Sequence, residues 1–472
     1  MKSISLGPFL LTSRLGGGAQ GEVYKSLYRP DQPGGGTPVA LKFLTGIQSP
    51  THRLRFRREV QTISGLAHSR IVAVLDYREV TADEAHRIDA RLPAGCPYLA
   101  MEYVDGRTLL EHCGLLAWPR MRTVLEDILA GLAHAHARGV VHCDIKPGNV
   151  MVDDQSGVAK LVDFGIYTVI DPIQVDSRSN RYAMGTPRYM APEQIDGRRR
   201  DLGPWTDLYA LGALVYPLVT GRHFFPDISD VDELFAAQRS LPPPPLPADS
   251  DVPSGFQDWV FRLLAKNPAD RFPQAADARR ALNALSGTHP DPERPFGAWS
   301  ASAVGTDLPP AGRGLYALRS PPMVGRTEER RQLWTHLNET AARASAPRTV
   351  LIEGEAGSGK SRLASWLTDE AHAGGAAVFA AVHGSTAGLH RGLGPMLARH
   401  FRVVGLRADG IRDRLERHRL ARGPGGLDVD GLAALITPQT TPEEGGVRFS
   451  GQRARFAVLE RVFRCVAAER PL

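Results

Sequence analysis

The hydrophobic pattern of this 472-residue sequence changes near residue 105. Before that point, short apolar and β-branched runs at 9–15, 21–28 and 38–44 are separated by glycine and proline clusters, a pattern typical of an antiparallel meander. After it, segments such as MRTVLEDILAGLAHAHARG have helical spacing, and this continues to about residue 286. We therefore expect a β-rich lobe followed by an α-rich lobe.

A second ordered region is predicted after a stretch rich in Pro, Gly, Ser and Ala at 287–321, which has the composition of a flexible linker. Beyond it, EERRQLWTHLNETAARA has the pattern of an amphipathic helix, TVLIEG that of a buried strand, and SRLASWLTDEAHA that of another helix. This alternation is typical of an α/β layer.

Composition narrows the class of protein. No apolar stretch reaches the length of about 18 residues that a membrane helix needs, and the N-terminus lacks the pattern of an export signal. The four cysteines show neither CxxC spacing nor disulfide density, so we expect a cytoplasmic protein without structural zinc. The net charge of +6 is small and spread out. Nucleic-acid binding is therefore not expected, and we interpret the Arg-rich stretch 400–422 as a solvated helical face.

A glycine-rich hairpin is predicted between the strands at 9–15 and 21–28. Gly16, Gly18 and Gly21, followed by Val23, form a GxGxxGxV pattern. Glycines let backbone amides close over phosphates that a Cβ would hold away. By itself the pattern is weak evidence, because glycine-rich hairpins are common.

A lysine and a glutamate follow this hairpin at informative places. Lys42 lies on the next strand in VALK, and Glu59 lies on the next predicted helix. An ammonium group here can contact the α and β phosphates, and the carboxylate can fix it there. Lysine occurs at only seven positions in this Arg-rich chain, so its presence at 42 supports a specific role.

The segment HCDIKPGN at 142–149, with Asp163-Phe164-Gly165 after it, predicts the chemistry. Phosphoryl transfer needs a carboxylate for the acceptor hydroxyl, a cation near the γ-phosphate and oxygen ligands for Mg²⁺. Asp144, Lys146, Asn149 and Asp163 supply these groups. Either aspartate alone would more often be an ordinary turn residue, but coincidence becomes improbable when Lys42 and Asn149 stand at the expected offsets.

Together these motifs resemble the eukaryotic-type serine/threonine protein kinases of bacteria. The resemblance covers residues 1–286 and implies an α+β bilobal kinase fold, with an N-lobe of about 1–104 and a C-lobe of about 105–286. It implies that Asp144 is the catalytic base, that Lys146 contacts the γ-phosphate, and that Asn149 and Asp163 bind magnesium. Lys42 and Glu59 would form the pair that positions the nucleotide.

The resemblance also implies an ATP site. Met101 would be the gatekeeper, and the backbone from Glu102 to Val104 the adenine-binding hinge. The rest of the site would be formed by Leu15, Gly16, Gly18, Gly21, Val23, Ala40 and Lys42. Thr186, at the end of the activation segment, would lie beside the substrate hydroxyl, whereas Glu193, Asp207 and Arg271 would be structural. Thr168, Ser177, Ser179 and Thr186 are unranked candidates for autophosphorylation.

One position departs from this family's pattern. Cys143 stands where an arginine usually precedes the catalytic aspartate, so the guanidinium that would bind an activation-loop phosphate is missing. We therefore expect activity to depend less on phosphorylation of the activation loop. A redox-sensing role for Cys143 is disfavoured, because no resolving cysteine lies nearby in the sequence.

The second region carries its own phosphate-binding motif. Gly354, Gly359, Lys360 and Ser361 belong to a complete GxxxxGK[ST] between a predicted strand and a predicted helix. Residues 322–472 resemble the N-terminal part of AAA-type and STAND signalling ATPases. No Walker B strand with paired acids is recognisable, so we expect a partial α/β P-loop NTPase domain whose hydrolytic activity is doubtful.

We therefore predict a serine/threonine protein kinase that uses ATP and Mg²⁺, with Mn²⁺ as an alternative, and acts on protein hydroxyls including its own. One alternative is a nucleotide-binding pseudokinase scaffold, against which the intact Lys42, Asp144, Asn149 and Asp163 argue. Another is that the kinase is the regulatory part of a STAND signalling ATPase. Self-association, the physiological substrate and the upstream signal are left open by the sequence.

Overall fold

The computed structural model of this chain describes most of the predicted lobes. The described residues are 4–18, 21–29, 36–44, 56–57, 60–86, 92–164, 186–285, 287, 296, 315, 323, 325–342, 347–383, 392–421, 425–437 and 451–470. Glu59 and the candidate hydroxyls of Thr168, Ser177 and Ser179 lie outside them, as does most of the predicted linker.

The N-terminal lobe is an antiparallel sheet in the order β1-β2-β3-β4-β6-β5. Its strands are β1 (Ile4–Leu6), β2 (Phe9–Gly18), β3 (Gly21–Tyr28), β4 (Thr37–Phe43), β5 (Val74–Glu79) and β6 (Pro97–Glu102). One face packs on an apolar cluster that includes Leu41, Phe43 and Tyr98. The predicted meander is confirmed, and its register sets Lys42 opposite Val23 on one side and Leu99 on the other.

A short helical segment follows β4 along the chain, and residues 56–57 and 60–63 of it are described. Phe56 and Val60 from this segment pack with Val74 and Leu99 of the sheet. Leu315, inside the predicted linker, is buried in the same cluster with 1% of its surface exposed. At least this residue of the linker is therefore packed against the N-terminal lobe.

The C-terminal lobe is mainly helical, as predicted. Its helices are α2 (Trp118–Ala137), α3 (Pro192–Ile195), α4 (Pro204–Thr220), α5 (Val231–Ser240), α6 (Phe256–Leu263) and α7 (Ala275–Leu285), after a single-turn α1 (Ala82–Ala85) in the first lobe. Three short strands, β7 (Gly106–Thr108), β8 (Val150–Asp153) and β9 (Ala159–Leu161), form a second antiparallel sheet.

Helix α4 is buried along almost its whole length and forms the centre of this lobe's core. Proline at its first position needs no hydrogen-bond partner for a backbone N–H, and Gly221 ends the helix with φ of 70°. Because α4 is anchored in the core, Asp207 in its first turn is a fixed point beneath the loop at 142–149.

Residues from 327 onward form helices α8 (Thr327–Ala341), α9 (Lys360–Ala373), α10 (Leu393–His400), α11 (Ala408–Glu416), α12 (Val429–Ile436) and α13 (Gln452–Ala467). Four of them, α10 to α13, enclose a separate apolar core that includes Leu397, Leu432 and Val462. No described helix is long and apolar enough to cross a bilayer.

The prediction of a buried strand at TVLIEG (349–354) is wrong for this structure. These residues form no strand, and Val350 and Leu351 are 49% and 79% exposed. A strand requires a neighbour to receive its backbone hydrogen bonds, and no segment in the described part of this region pairs with it.

Candidate active site

The carboxylate of Asp144 is the centre of the site. Its Oδ1 accepts hydrogen bonds from the Thr186 amide at 2.8 Å and the Thr186 hydroxyl at 3.0 Å. Its Oδ2 accepts from Lys146 Nζ at 2.8 Å and from Asn149 Nδ2 at 3.0 Å. Lys146 Nζ also donates to the Thr186 hydroxyl at 2.8 Å. The Asp144 carboxylate therefore bonds the side chains of two other predicted site residues, Lys146 and Asn149, and the hydroxyl of Thr186.

The loop that carries Asp144 is held from below by Asp207. The Asp207 carboxylate accepts hydrogen bonds from the amides of His142 at 2.8 Å and Cys143 at 2.7 Å, and it bonds His136 Nε2 at 2.8 Å. Cys143 has φ of 60°, a conformation that is costly for a side-chain-bearing residue. Two amide bonds to one fixed carboxylate hold the backbone in that conformation.

His142 has structural contacts around the loop at 142–149. Complete burial lowers its pKa, which keeps the imidazole neutral. Its Nε2 lies 3.0 Å from the carbonyl of Val162 and its ring lies 4.6 Å from that of Phe164. These contacts join the 142–149 loop to the segment carrying Asp163.

Lys42 and Asp163 form an ion pair between the two lobes. Lys42 Nζ lies 2.7 Å from Asp163 Oδ2, and the lysine side chain is only 3% exposed. A buried ammonium needs a nearby anion, because moving an unpaired ion out of water costs roughly several kcal/mol. The predicted partner Glu59 lies outside the described residues.

The glycine-rich hairpin joins β2 to β3, the strand that pairs with the one carrying Lys42. Gly16 is opposite Val23 and Gly18 is opposite Gly21 in the β2-β3 ladder. A Cβ on Gly21, whose φ is 131°, would lie 1.8 Å from the carbonyl oxygen of Phe43, so only glycine fits where the hairpin crosses β4. Leu15 is 49% exposed.

The predicted hinge connects the two lobes. Met101 on β6 lies opposite Ala40 on β4. Val104 is buried and follows two residues after the end of β6. The Glu102 side chain forms an ion pair with Lys160 of β9 and accepts a hydrogen bond from the Ala73 amide at 3.2 Å. Lys160 was missed from the sequence, although it is one of the seven lysines and could have been found on that ground.

A fully buried ion pair supports the end of the activation segment. Arg271 donates from Nη1 to Glu193 Oε1 at 2.8 Å and from Nη2 to Oε2 at 3.0 Å. Gln194, the next residue, donates to the carbonyl of Cys143 at 2.9 Å. The ion pair is therefore linked to the catalytic loop, residues 142–149, a link that the sequence did not indicate.

The second glycine-rich loop lies at the start of α9. Gly354, Gly357 and Gly359 have φ of 155°, 81° and 88°, and Lys360 is the first residue of the helix. Lys360 Nζ donates to the carbonyls of Gly354 and Glu355, each at 2.7 Å. Ser361 is exposed beside it. These groups lie at a helix N-terminus, where amides and the helix dipole favour a phosphate.

The sequence matches known proteins in two places. A family model described as a protein kinase domain matches residues 9–283, and one described as an AAA ATPase domain matches residues 322–472. Serine/threonine-protein kinase Pkn1 of Myxococcus xanthus is 33% identical over 362 residues, covering 74% of this chain and 49% of that protein. Serine/threonine-protein kinase PksC of Streptomyces coelicolor is 34% identical over 284 residues, covering 57% and 48%.

The chain thus spans about half the length of the curated relatives it matches. Among solved structures, the PknI kinase domain of Mycobacterium tuberculosis covers 61% of this chain and 99% of its own length, at 26% identity and a TM-score of 0.45.

Proposed function

The chain belongs to the protein kinase family, and on that premise we propose that it transfers the γ-phosphate of ATP to serine or threonine hydroxyls of proteins, including its own. The observation that carries this proposal is the position of Thr186. Its hydroxyl lies within hydrogen-bonding distance of both Asp144 and Lys146. A carboxylate and an ammonium therefore meet at an alcohol of the class that such an enzyme phosphorylates.

Asp144 is assigned the role of base. As the acceptor oxygen forms its bond to the γ-phosphorus, the bond from phosphorus to the bridging oxygen of ADP breaks and the hydroxyl proton passes to Asp144. Lys146 is assigned to balance the charge on the transferred group, and Lys42 to hold the α and β phosphates. Burial of Lys42 beside Asp163 keeps these charges apart from bulk water, where they would be screened.

Asn149 and Asp163 are assigned to a divalent cation, for which we propose Mg²⁺ with Mn²⁺ as the alternative. The side-chain N–H of Asn149 donates a hydrogen bond to Asp144, which leaves the side-chain oxygen of Asn149 as an acceptor. An amide oxygen and a carboxylate oxygen are ligands that such hard cations prefer. When bound, the cation neutralises charge on the phosphates.

The domain arrangement belongs to the same proposal. We assign residues 1–286 to the kinase domain, 287–321 to a linker and 322–472 to a partial ATPase module with a nucleotide site at Gly354, Gly359, Lys360 and Ser361. The kinase nucleotide site is assigned to Leu15, Gly16, Gly18, Gly21, Val23, Ala40, Lys42, Met101, Glu102 and Val104, with Glu59 as the partner of Lys42. A cytoplasmic location and protein substrates complete the proposal.

The test is transfer of labelled phosphate from ATP with Mg²⁺ to the chain itself and to a basic protein acceptor. Asp144→Asn should lower transfer by a factor of about 10² to 10⁴, the range for removal of a general base. Lys360→Ala should leave it near the native rate. Asp154→Asn is the matched control, because Asp154 is an exposed aspartate of the neighbouring β8-β9 hairpin.

If the native chain binds ATP and transfers no phosphate, the enzyme proposal is wrong and the pseudokinase scaffold takes its place. If Lys360→Ala abolishes transfer and Asp144→Asn does not, the chemistry belongs to the second module instead.

A further inference from the structure

The C-terminal module lies against one face of the kinase C-lobe. The C-lobe side of this contact, here called the docking face, consists of Arg138, Asp201, Leu202, Trp205 and Asp277. The module side consists of Glu370, Arg402, Arg414 and Arg470. Each of these four module residues has a polar or ring contact with the docking face.

Two arginines from the Arg-rich stretch make the central contacts. Arg414 on α11 forms an ion pair with Asp201 at 2.5 Å and donates to the carbonyl of Arg200 at 3.2 Å. Arg402 donates to the carbonyl of Leu202, and its guanidinium lies 4.5 Å from the centre of the Trp205 ring. The expectation that this stretch is a solvated face is therefore wrong for these two residues.

Arg402 is a specific fit. Burial lowers its pKa to about 10, so the guanidinium remains charged at neutral pH while it stacks on an indole. Its φ of 56° belongs to the left-handed turn that ends helix α10. A guanidinium that contacts both a carbonyl and an aromatic ring is unlike a loose surface contact.

Two more ion pairs extend the contact on either side. Glu370 of α9 lies 3.1 Å from Arg138, at the end of α2, and Arg470 lies 3.2 Å from Asp277 on α7. Helix α9 begins at Lys360 and is about 21 Å long, so it connects the end of the phosphate-binding loop to the contact with Arg138.

The docking face also contacts the residues that hold the catalytic loop. Leu202 packs with Val141 and Cys143 in a small apolar cluster. The carbonyl of Trp205 accepts a hydrogen bond at 3.0 Å from Arg271, the partner of Glu193. Arg402 therefore contacts two residues that each touch the catalytic loop or the ion pair beside it.

We propose that residues 360–470 act in cis as a positive regulator of the kinase, docking on this face through Arg402 and Arg414 and stabilising the catalytic loop from behind. The partner is thus a segment of the same chain, and the charge pattern fits it: arginines on the module meet an aspartate and backbone carbonyls on the lobe. The part of this inference that concerns the rate of phosphate transfer rests on the proposed kinase function.

The test uses charge reversal in the full chain. Asp201→Arg and Arg414→Asp should each lower the transfer rate about five- to tenfold, at the lower end of typical couplings between sites. Each should also speed hydrogen exchange at the amides of residues 199–207 and of His142 and Cys143. Combining the two reversals should restore both readouts most of the way to native.

Arg412→Asp is the matched control. Arg412 lies on the same helix as Arg414, but its ion pairs are with Asp409 and Asp430 inside the module, at 3.4 and 3.1 Å. This variant should retain the native rate and the native exchange at 199–207. An equal loss in Arg412→Asp would mean that the loss does not depend on the contact between Arg414 and Asp201, and the proposed docking through this pair would be overturned.

The exchange readout separates this inference from the proposed function. If the native chain transfers no phosphate but single reversals still expose His142 and Cys143 and the double reversal protects them, docking stands and the kinase proposal fails. If transfer is normal and neither single reversal changes rate or exchange, docking fails and the kinase proposal stands. Faster exchange with an unchanged rate would overturn the regulatory role.

Discussion

Asp144 and Thr186 are 42 residues apart in the sequence, yet both the amide and the hydroxyl of Thr186 donate to one oxygen of the Asp144 carboxylate. Thr186 also accepts from Lys146, so it connects the two charged groups assigned to the chemistry. Thr186 thereby ties the end of the activation segment to the catalytic loop.

Replacing Thr186 tests this relationship. Thr186→Ala removes the hydroxyl that Asp144 and Lys146 share, and we expect the transfer rate to fall about tenfold, as for the loss of one charge-assisted hydrogen bond. Thr186→Ser keeps the hydroxyl and should remain within about twofold of native. Steady-state kinetics on a protein acceptor would measure both. Equal rates in the alanine and serine variants would contradict the assignment.

Breaking the Glu193–Arg271 pair should destabilise the C-lobe strongly. Both side chains are 0% exposed, so removing one partner leaves an unpaired buried charge. Glu193→Gln should therefore cost about 3 to 5 kcal/mol of unfolding free energy. Urea unfolding followed by tryptophan fluorescence would measure it.

The control for that measurement is Asp227→Asn. Asp227 pairs with Arg222 at 3.3 Å, but both side chains are mostly exposed, at 89% and 68%. Exposed pairs contribute no more than about 1 kcal/mol. A cost for Glu193→Gln no larger than for Asp227→Asn would mean that the buried pair is dispensable.

The cysteine at position 143 leads to a prediction about dephosphorylation. The thiol is 5% exposed and packs with Val141 and Leu202, and it offers no guanidinium for a phosphate. Treating the native chain with a phosphatase should lower its transfer rate less than about threefold, because no new charge-assisted hydrogen bond depends on this position. Cys143→Arg should make the rate more sensitive to the phosphatase, and Cys143→Ala should not. A large loss in the native chain would refute the prediction.

Two neighbouring buried histidines should make the free energy of unfolding fall in acid. The rings of His68 and His134 lie 4.8 Å apart, and burial, with Arg70 and Arg138 nearby, lowers their pKa values to about 4 and about 2. In the unfolded chain both would titrate near 6.5, so below that pH the unfolded state binds more protons. The stability that comes from keeping these two histidines neutral is therefore fully present above pH 6.5, and it decreases as the pH drops towards 4.

Each histidine should account for roughly 1 to 2 kcal/mol of lost unfolding free energy between pH 7 and pH 5. Urea midpoints measured across this range would show it, and His68→Gln should flatten the profile by its share. His86→Gln, at an exposed position of the same domain, should leave the slope as it is. An unchanged slope in His68→Gln would show that this residue is not the source.

Much of the fold and site could be predicted from sequence because their signals are local. The spacing of Gly16, Gly18 and Gly21 needs only a hairpin, and the short run containing Asp144, Lys146 and Asn149 places three functional groups on one loop. The β-rich and helical lobes followed from hydrophobic periodicity, which records the face that each element buries.

Contacts between distant residues were decided by the tertiary structure. His136 and the amides of His142 and Cys143 meet on Asp207 only because α4 is buried under the loop, and no sequence spacing records that packing. The segment 349–354 has the composition of a strand, but a strand depends on a neighbour for its hydrogen bonds. Arg402 likewise has a partner only where Trp205 folds against it. The sequence by itself determined which groups are present and their local order; packing determined which of them meet, because burial and hydrogen bonding depend on surroundings that come from elsewhere in the chain.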